Sequence, residues 1–265
     1  MLIDTHCHLD AGEFSSDRNA VAMSAQQAGV SLIVVPAVER SNFATVCDLA
    51  EKHAHCAYAL GIHPMYVDGA EENDLTVLSA LLATQQPIAV GEIGLDFFVT
   101  TGNREKQEHY FSSQLKLARQ FDLPVILHVR RSVDDILKYL RRIKVRGGIA
   151  HAFNGSRQQA EAFMDLGFKL GFGGAMTYPR ALKIRELATT LPLEAIVLET
   201  DAPDIAPEWL GHHGRNSPDQ LPKIAQVLAD LRGIKRSEVA EITTKNALEV
   251  LPKLAQLYTP LQVSH

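Results

Sequence analysis

Cysteine is scarce in this chain of 265 residues: Cys7, Cys47 and Cys56 are the only three, and no two stand in C-x-x-C spacing. Neither a disulfide framework nor a thiolate zinc site follows from them, and a reducing compartment suits the protein best. Long apolar runs are also missing. No segment approaches the ~20 apolar residues of a membrane span, and Leu2 and Ile3 run directly into Asp4 and His6, leaving no apolar signal region. A cytosolic protein with no membrane partner is expected. Positive charge is in deficit, at a net −5, which argues against wholesale coating of a nucleic-acid backbone while leaving room for a local basic groove. The densest basic stretch, Lys138, Arg141, Arg142, Lys144 and Arg146, reads as the solvated C-terminus of a helix, where cations complement the dipole. A G-x-S-x-G elbow, a phosphate-binding P-loop and a dinucleotide fingerprint are all absent.

What the chain does hold is alternation. Short apolar or β-branched runs predict strands at Leu2 to Thr5, Ser31 to Val35, Cys56 to Leu60, Pro87 to Glu92, Pro124 to His128, Gly148 to His151, Phe168 to Phe172 and Ala195 to Asp201. Helical stretches separate them: Arg18 to Ala28, Asn42 to His53, Leu75 to Gln85, Arg104 to Phe121, Val133 to Ile143, Arg157 to Leu166 and Pro179 to Leu191. Two more, Pro218 to Leu231 and Ser237 to Leu251, follow the last strand. With 46% hydrophobic residues and no composition break, residues 1–265 are expected to form one α/β domain, a TIM (β/α)₈ barrel in preference to an open doubly wound sheet.

Five of these strands end in a metal-binding residue type. The residues are His6 and His8, Glu92, His128, His151 and Asp201. In a closed parallel barrel those ends meet on one face, where barrel active sites lie. Asp4, His6 and His8 alternate with Thr5 and Cys7, so three polar groups are expected on one face of the first strand, and two imidazoles two residues apart can grip one ion. The last strand lies beside the first, which puts Asp201 next to them. Imidazoles and carboxylates together suit Zn²⁺, Mn²⁺ or Mg²⁺, and a carboxylate can bridge two such ions; Glu92 is placed for that role. Asp201 is expected to orient a water and accept its proton. The chain therefore reads as a metal-dependent hydrolase with Asp201 and Glu92 as its catalytic carboxylates.

Six ordered runs carry a resemblance: Ile3-Asp4-Thr5-His6-Cys7-His8, Gly61-Ile62-His63-Pro64, Gly91-Glu92-Ile93-Gly94-Leu95-Asp96, Pro124-Val125-Ile126-Leu127-His128, His151-Ala152-Phe153-Asn154-Gly155-Ser156 and Glu199-Thr200-Asp201-Ala202-Pro203. Across nearly the whole chain these resemble the TatD family of metal-dependent deoxyribonucleases, within the amidohydrolase superfamily, and within that family an enterobacterial branch. The resemblance implies a barrel with two divalent ions, one held by His6, His8 and Asp201, the other by His128 and His151, with Glu92 between them. It also implies that His63, Arg215 and Asn216 line the substrate pocket, and that DNA is the substrate of a monomer without an obligate protein partner. His212 and His213 read as surface loop residues.

Departures from the family pattern fall at the pocket rim. Phe97-Phe98-Val99 stand where many relatives carry a tyrosine or tryptophan, and Val129-Arg130-Arg131 where they carry a cysteine-arginine-aspartate run; the ending at Asn246 to Leu254 differs as well. Two other readings share the sequence. The same metals could hydrolyse an amide, or an ester such as an aminoacyl-tRNA. Many superfamily relatives with such activities bridge their metals through a carboxylated lysine on strand four, where this chain has Glu92. A metal-stabilised binding module without catalysis would not need Asp201.

Overall fold

The computed structural model describes residues 1–98 and 102–258. Among the described residues eight strands alternate with helices. They are β1 (Leu2–Asp4), β2 (Val30–Pro36), β3 (Cys56–Ala59), β4 (Val90–Asp96), β5 (Val125–Arg130), β6 (Gly148–Ala150), β7 (Phe168–Phe172) and β8 (Ile196–Leu198). The helices are α1 (Arg18–Gln27), α2 (Phe43–Lys52), α3 (Glu72–Thr84), α4 (Arg104–Gln120), α5 (Val133–Arg142), α6 (Arg157–Asp165), α7 (Leu182–Thr190), α8 (Leu221–Arg232) and α9 (Arg236–Val250). All strand pairs are parallel and run in sequence order, as β1-β2-β3 and as β4 to β8. Two seams close the ring. At one, Gly91 N donates to Leu60 O (3.0 Å) and Ile88 N to Tyr58 O (3.1 Å). At the other, Thr5 N donates to Leu198 O (3.1 Å), Asp201 N to His6 O (2.8 Å) and His8 N to Ala202 O (2.7 Å). The architecture is the expected TIM barrel rather than an open sheet.

Side-chain parity divides the core in two. Ile3, Leu32, Val34, Ala57, Ile126, Ile149 and Val197 come from six strands and gather with Val250, Leu251 and Leu254 of the C-terminal helical region. This is the barrel interior, filled by branched side chains. The alternate residues, such as Ile33, Val125, Leu127, Leu170 and Leu198, pack outward with the apolar faces of the helices. Period two then sets the mouth: His128 follows Ile126, and His151 follows Ile149.

Most strand boundaries shift by one to four residues from the sequence reading, and those of β1, β4 and β8 bear on the site. β1 ends at Asp4 and β8 at Leu198, so His6, His8 and Asp201 lie on the segments beyond them. β4 begins at Val90 and continues to Asp96, so Glu92 lies within a strand instead of at its end. The reason is the glycines around it. A Cβ on Gly91 would stand 2.6 Å from Ile126 O, and one on Gly94 2.0 Å from His128 O, both at φ near +150°. Glycine there allows the β4 backbone to approach β5 more closely than a side chain permits. Helix α3 starts three residues before the expected Leu75, because Glu71 and Asp74 form a reciprocal capping pair ahead of the apolar stretch.

Candidate metal centre

Glu92 is the hub. Its side chain is 2% exposed, and five imidazoles reach its two oxygens: His6 Nε2 at 3.1 Å and His8 Nε2 at 3.4 Å from Oε2, His128 Nδ1 at 2.8 Å, His151 Nε2 at 3.0 Å and His63 Nε2 at 3.3 Å from Oε1. Asp201 Oδ1 lies 3.5 Å from His6 Nε2 and 3.7 Å from His8 Nε2. The barrel thus brings together every residue expected as a ligand.

The grouping differs in one respect. His6, His8 and Asp201 converge as one trio, as expected. His151 converges with His6 and Glu92, its ring stacked on that of His6 at 3.9 Å, while His128 converges with Glu92 and His63. His63, expected at the substrate rim, therefore sits among the candidate ligands.

Arg215 and Asn216 do not join the cluster. The Arg215 guanidinium is ion-paired to Asp17 (2.6 Å) and donates to Glu13 O (2.8 Å) at the surface. Asn216 is fully buried; its amide donates to Thr200 O (2.8 Å) and Asp204 O (3.0 Å), tying together the two flanks of Asp201. An amide spent on backbone carbonyls and closed off from solvent is a loop staple, which corrects its reading as a pocket residue. The His212 ring stacks on Tyr178 in the exposed loop.

Three acids behind the cluster went unassigned in the sequence reading. Asp96 Oδ2 lies 3.1 Å from His128 Nε2, on the far side of the ring from Glu92. Glu199 Oε1 lies 3.5 Å from His151 Nδ1 and accepts the Ala152 amide. Asp4, expected to share a face with His6 and His8, instead accepts from Thr200 Oγ1 (2.6 Å) and Thr200 N (3.0 Å). All three lie inside the motif runs, and the Asp96 carboxylate, hydrogen-bonded to His128, fixes that ring's tautomer and orientation. An apolar slot lined by Phe153, Phe172, Ile184 and Ile205 opens beside Asp201.

The electrostatics follow from burial set against neighbours. Burial alone would raise Glu92, but the charges of His63, His151 and His6 outweigh it and hold the carboxyl well below its usual range. Burial raises Asp201 to about 6. His6, deeply buried and beside His151, is held well below the usual imidazole range. Burial would also lower His8, yet its hydrogen bond to Glu92 and the nearby carboxylate charges carry it to about 9.

The donor set fits divalent cations on its own geometry. His6 Nε2 and His8 Nε2 stand 3.2 Å apart, and both face Glu92 and Asp201. Imidazole nitrogens and carboxylate oxygens converging this closely on one buried space are the ligand types that borderline ions take.

Residues 3–252 match the family model of TatD-related DNases. The chain belongs to the TatD family. Among TatD relatives, it is 44% identical over 248 residues to YjjV of Escherichia coli K12, named as an uncharacterized metal-dependent hydrolase, with 92% of this chain and 95% of that protein covered. The crystal structure of E. coli YjjV superposes with a TM-score of 0.90 at 43% identity, covering 95% of this chain and 98% of that one. The 3'-5' ssDNA/RNA exonuclease TatD of a Pantoea species is 32% identical over 247 residues, covering 91% of this chain and 94% of that protein. This TatD protein is a metal-dependent hydrolase. Among its described residues no helix is long and apolar enough to cross a membrane.

Proposed function

We propose that this chain is a deoxyribonuclease that hydrolyses DNA phosphodiester bonds, acting as one domain. The observation that carries the reading is the hub itself: one carboxylate, Glu92, facing five imidazoles, with a second carboxylate, Asp201, beside His6 and His8. The family's DNase model and the exonuclease named among the relatives support DNA as the substrate class. In this reading Glu92 would serve two divalent ions, of the Zn²⁺, Mn²⁺ or Mg²⁺ kind. His6, His8 and Asp201 would hold one, and His128, His151 and His63 the other.

Such ions, when bound, polarise a phosphoryl oxygen and acidify a water. The chain's own residues do the rest. Asp201, held to about 6 by burial, is ionised at neutral pH and close enough to neutrality in its pKa for its carboxylate to accept a proton from the attacking water. His6, kept neutral, presents a lone pair instead of a charge. Asp96 holds the His128 ring in place while charge develops on the phosphate, and Glu199 lies beside His151.

Asp201→Asn tests this. Turnover of single-stranded DNA should fall by about 10²- to 10⁴-fold, the usual worth of general-base assistance, while DNA affinity stays near wild type. Metal content is measured in the same variant. Full activity in a metal-replete Asp201→Asn protein would overturn the mechanism, and wild-type protein active on amides or carboxylic esters but on no nucleic acid would overturn the substrate class.

A further inference from the structure

The two departures at the pocket rim, one after β4 and one at the end of β5, pack against each other. The Arg130 guanidinium carbon lies 3.9 Å from the centroid of the Phe98 ring, and that of Arg131 lies 4.6 Å from it. The backbone sets this arrangement. Asp96 pairs with Arg130 in the β4–β5 register, Phe97 N donates to Arg130 O (2.9 Å), and Phe98 N donates to Asp96 Oδ1 (2.9 Å). Asp96 also contacts His128, so the cluster stands one carboxylate away from the metal centre.

Its chemistry is unlike that of a structural cation–aromatic pair. Next door, Arg104 covers Phe97 at 4.0 Å but is neutralised by Glu108 and Asp135. Around Phe98, the acid nearest Arg130 is Asp96 at 4.0 Å, already engaged with His128, and Arg131 has no carboxylate within ion-pairing distance among the described residues. Phe98 remains 44% exposed and the Arg130 side chain 48%. In a chain of net charge −5, two adjacent cations with so little neutralisation, laid on an exposed ring, await an anion. A guanidinium stacked on a ring keeps its in-plane N–H donors free for a phosphate, and its outer face can take a nucleobase.

We propose that Phe98, Arg130 and Arg131 form a docking platform for single-stranded DNA, on which a base stacks while the guanidinium groups grip the adjoining phosphate. The proposal rests on the nuclease reading above and adds the strand's path: it leaves the metal centre over the β4–β5 side of the mouth. Stacked aromatics and cationic grooves are the common way to hold a single strand without reading its sequence.

The test uses metal-replete wild-type protein, Phe98→Ala and the double variant Arg130→Gln/Arg131→Gln, each with its metal content measured. A fluorescent phosphorothioate single-stranded oligodeoxynucleotide is titrated by anisotropy at several salt concentrations. Phe98→Ala should weaken binding by about 5- to 100-fold with the salt dependence unchanged, as for loss of a stacked base. The double variant should also weaken binding, and its slope of log affinity against log salt should be shallower by about one. On cleavable DNA both variants should show raised KM with kcat near wild type. Wild-type affinity in both variants, with wild-type protein cleaving DNA, overturns the platform alone. Wild-type protein that neither binds nor cleaves a DNA strand overturns the nuclease reading and the platform with it.

Discussion

At the scale of single residues, Glu92 carries the most weight, because both of its oxygens are engaged and five rings depend on them. Replacing it with alanine should lower occupancy of both cation positions at once, whereas His151→Ala should mainly affect the position assigned to it together with His128 and His63. Elemental analysis of metal per protein distinguishes these, and equal loss in the two variants speaks against a bridging carboxylate. Protons compete for the same atoms. Asp201 titrates near 6, and His8 near 9 once Glu92 outweighs its burial; both must be deprotonated to act as ligands. Divalent affinity should therefore climb as pH rises from about 6 towards 9, and binding at pH 7 should release protons. Calorimetry in buffers of different ionisation enthalpy reads that release, and an affinity flat across the range would count against the assignment.

At the scale of elements, the positions of the candidate ligands depend on what holds the short segments beyond the strands. Asn216 is the clearest case: it fastens the carbonyls of Thr200 and Asp204 on either side of Asp201. Asn216→Ala leaves those buried acceptors unpaired and should lower unfolding stability by about 1–3 kcal/mol, with reduced turnover, while the neighbouring Arg215→Ala changes little. Urea unfolding followed by activity at matched folded fractions checks both halves, and an Asn216→Ala protein as stable and active as wild type removes the staple. The same elements show what could be read from sequence. Strand order, helix placement and the convergence of the six candidate ligands were legible because periodicity and residue type are local properties. The role of Asn216 was not, since an asparagine in a loop looks alike whether it faces a pocket or a carbonyl. Nor was the placement of His63 beside Glu92, which requires the end of β3 to meet β4. The carboxylates of Asp96 and Glu199 were within sight, in the motifs beside His128 and His151, but which ring nitrogen they face is a matter of packing. Val99, part of the rim departure, lies outside the described residues.

At the scale of the whole molecule, the barrel is two sheets stitched along two lines, and the candidate centre lies across both. His6 and His8 meet Asp201 over one line; Glu92 meets His63 over the other. Each line is held by a few backbone bonds, so these are the places where the ring opens at least cost, and amide exchange with solvent is fastest where local opening is cheapest. A cation gripping residues from both sides must be released before either line can part. Its binding free energy then adds to the local opening energy, by roughly 2.7 kcal/mol when the ion is present at a hundred times its dissociation constant. Deuterium uptake at the amides of Thr5, Asp201, Ile88 and Gly91 should accordingly slow by about a hundredfold on loading, while the helix amides of α6, which packs on β7 away from either line, exchange as before. The ions that serve chemistry would thus also set how often the ring breathes, and a protein starved of them would be leaky along its stitching long before it unfolded.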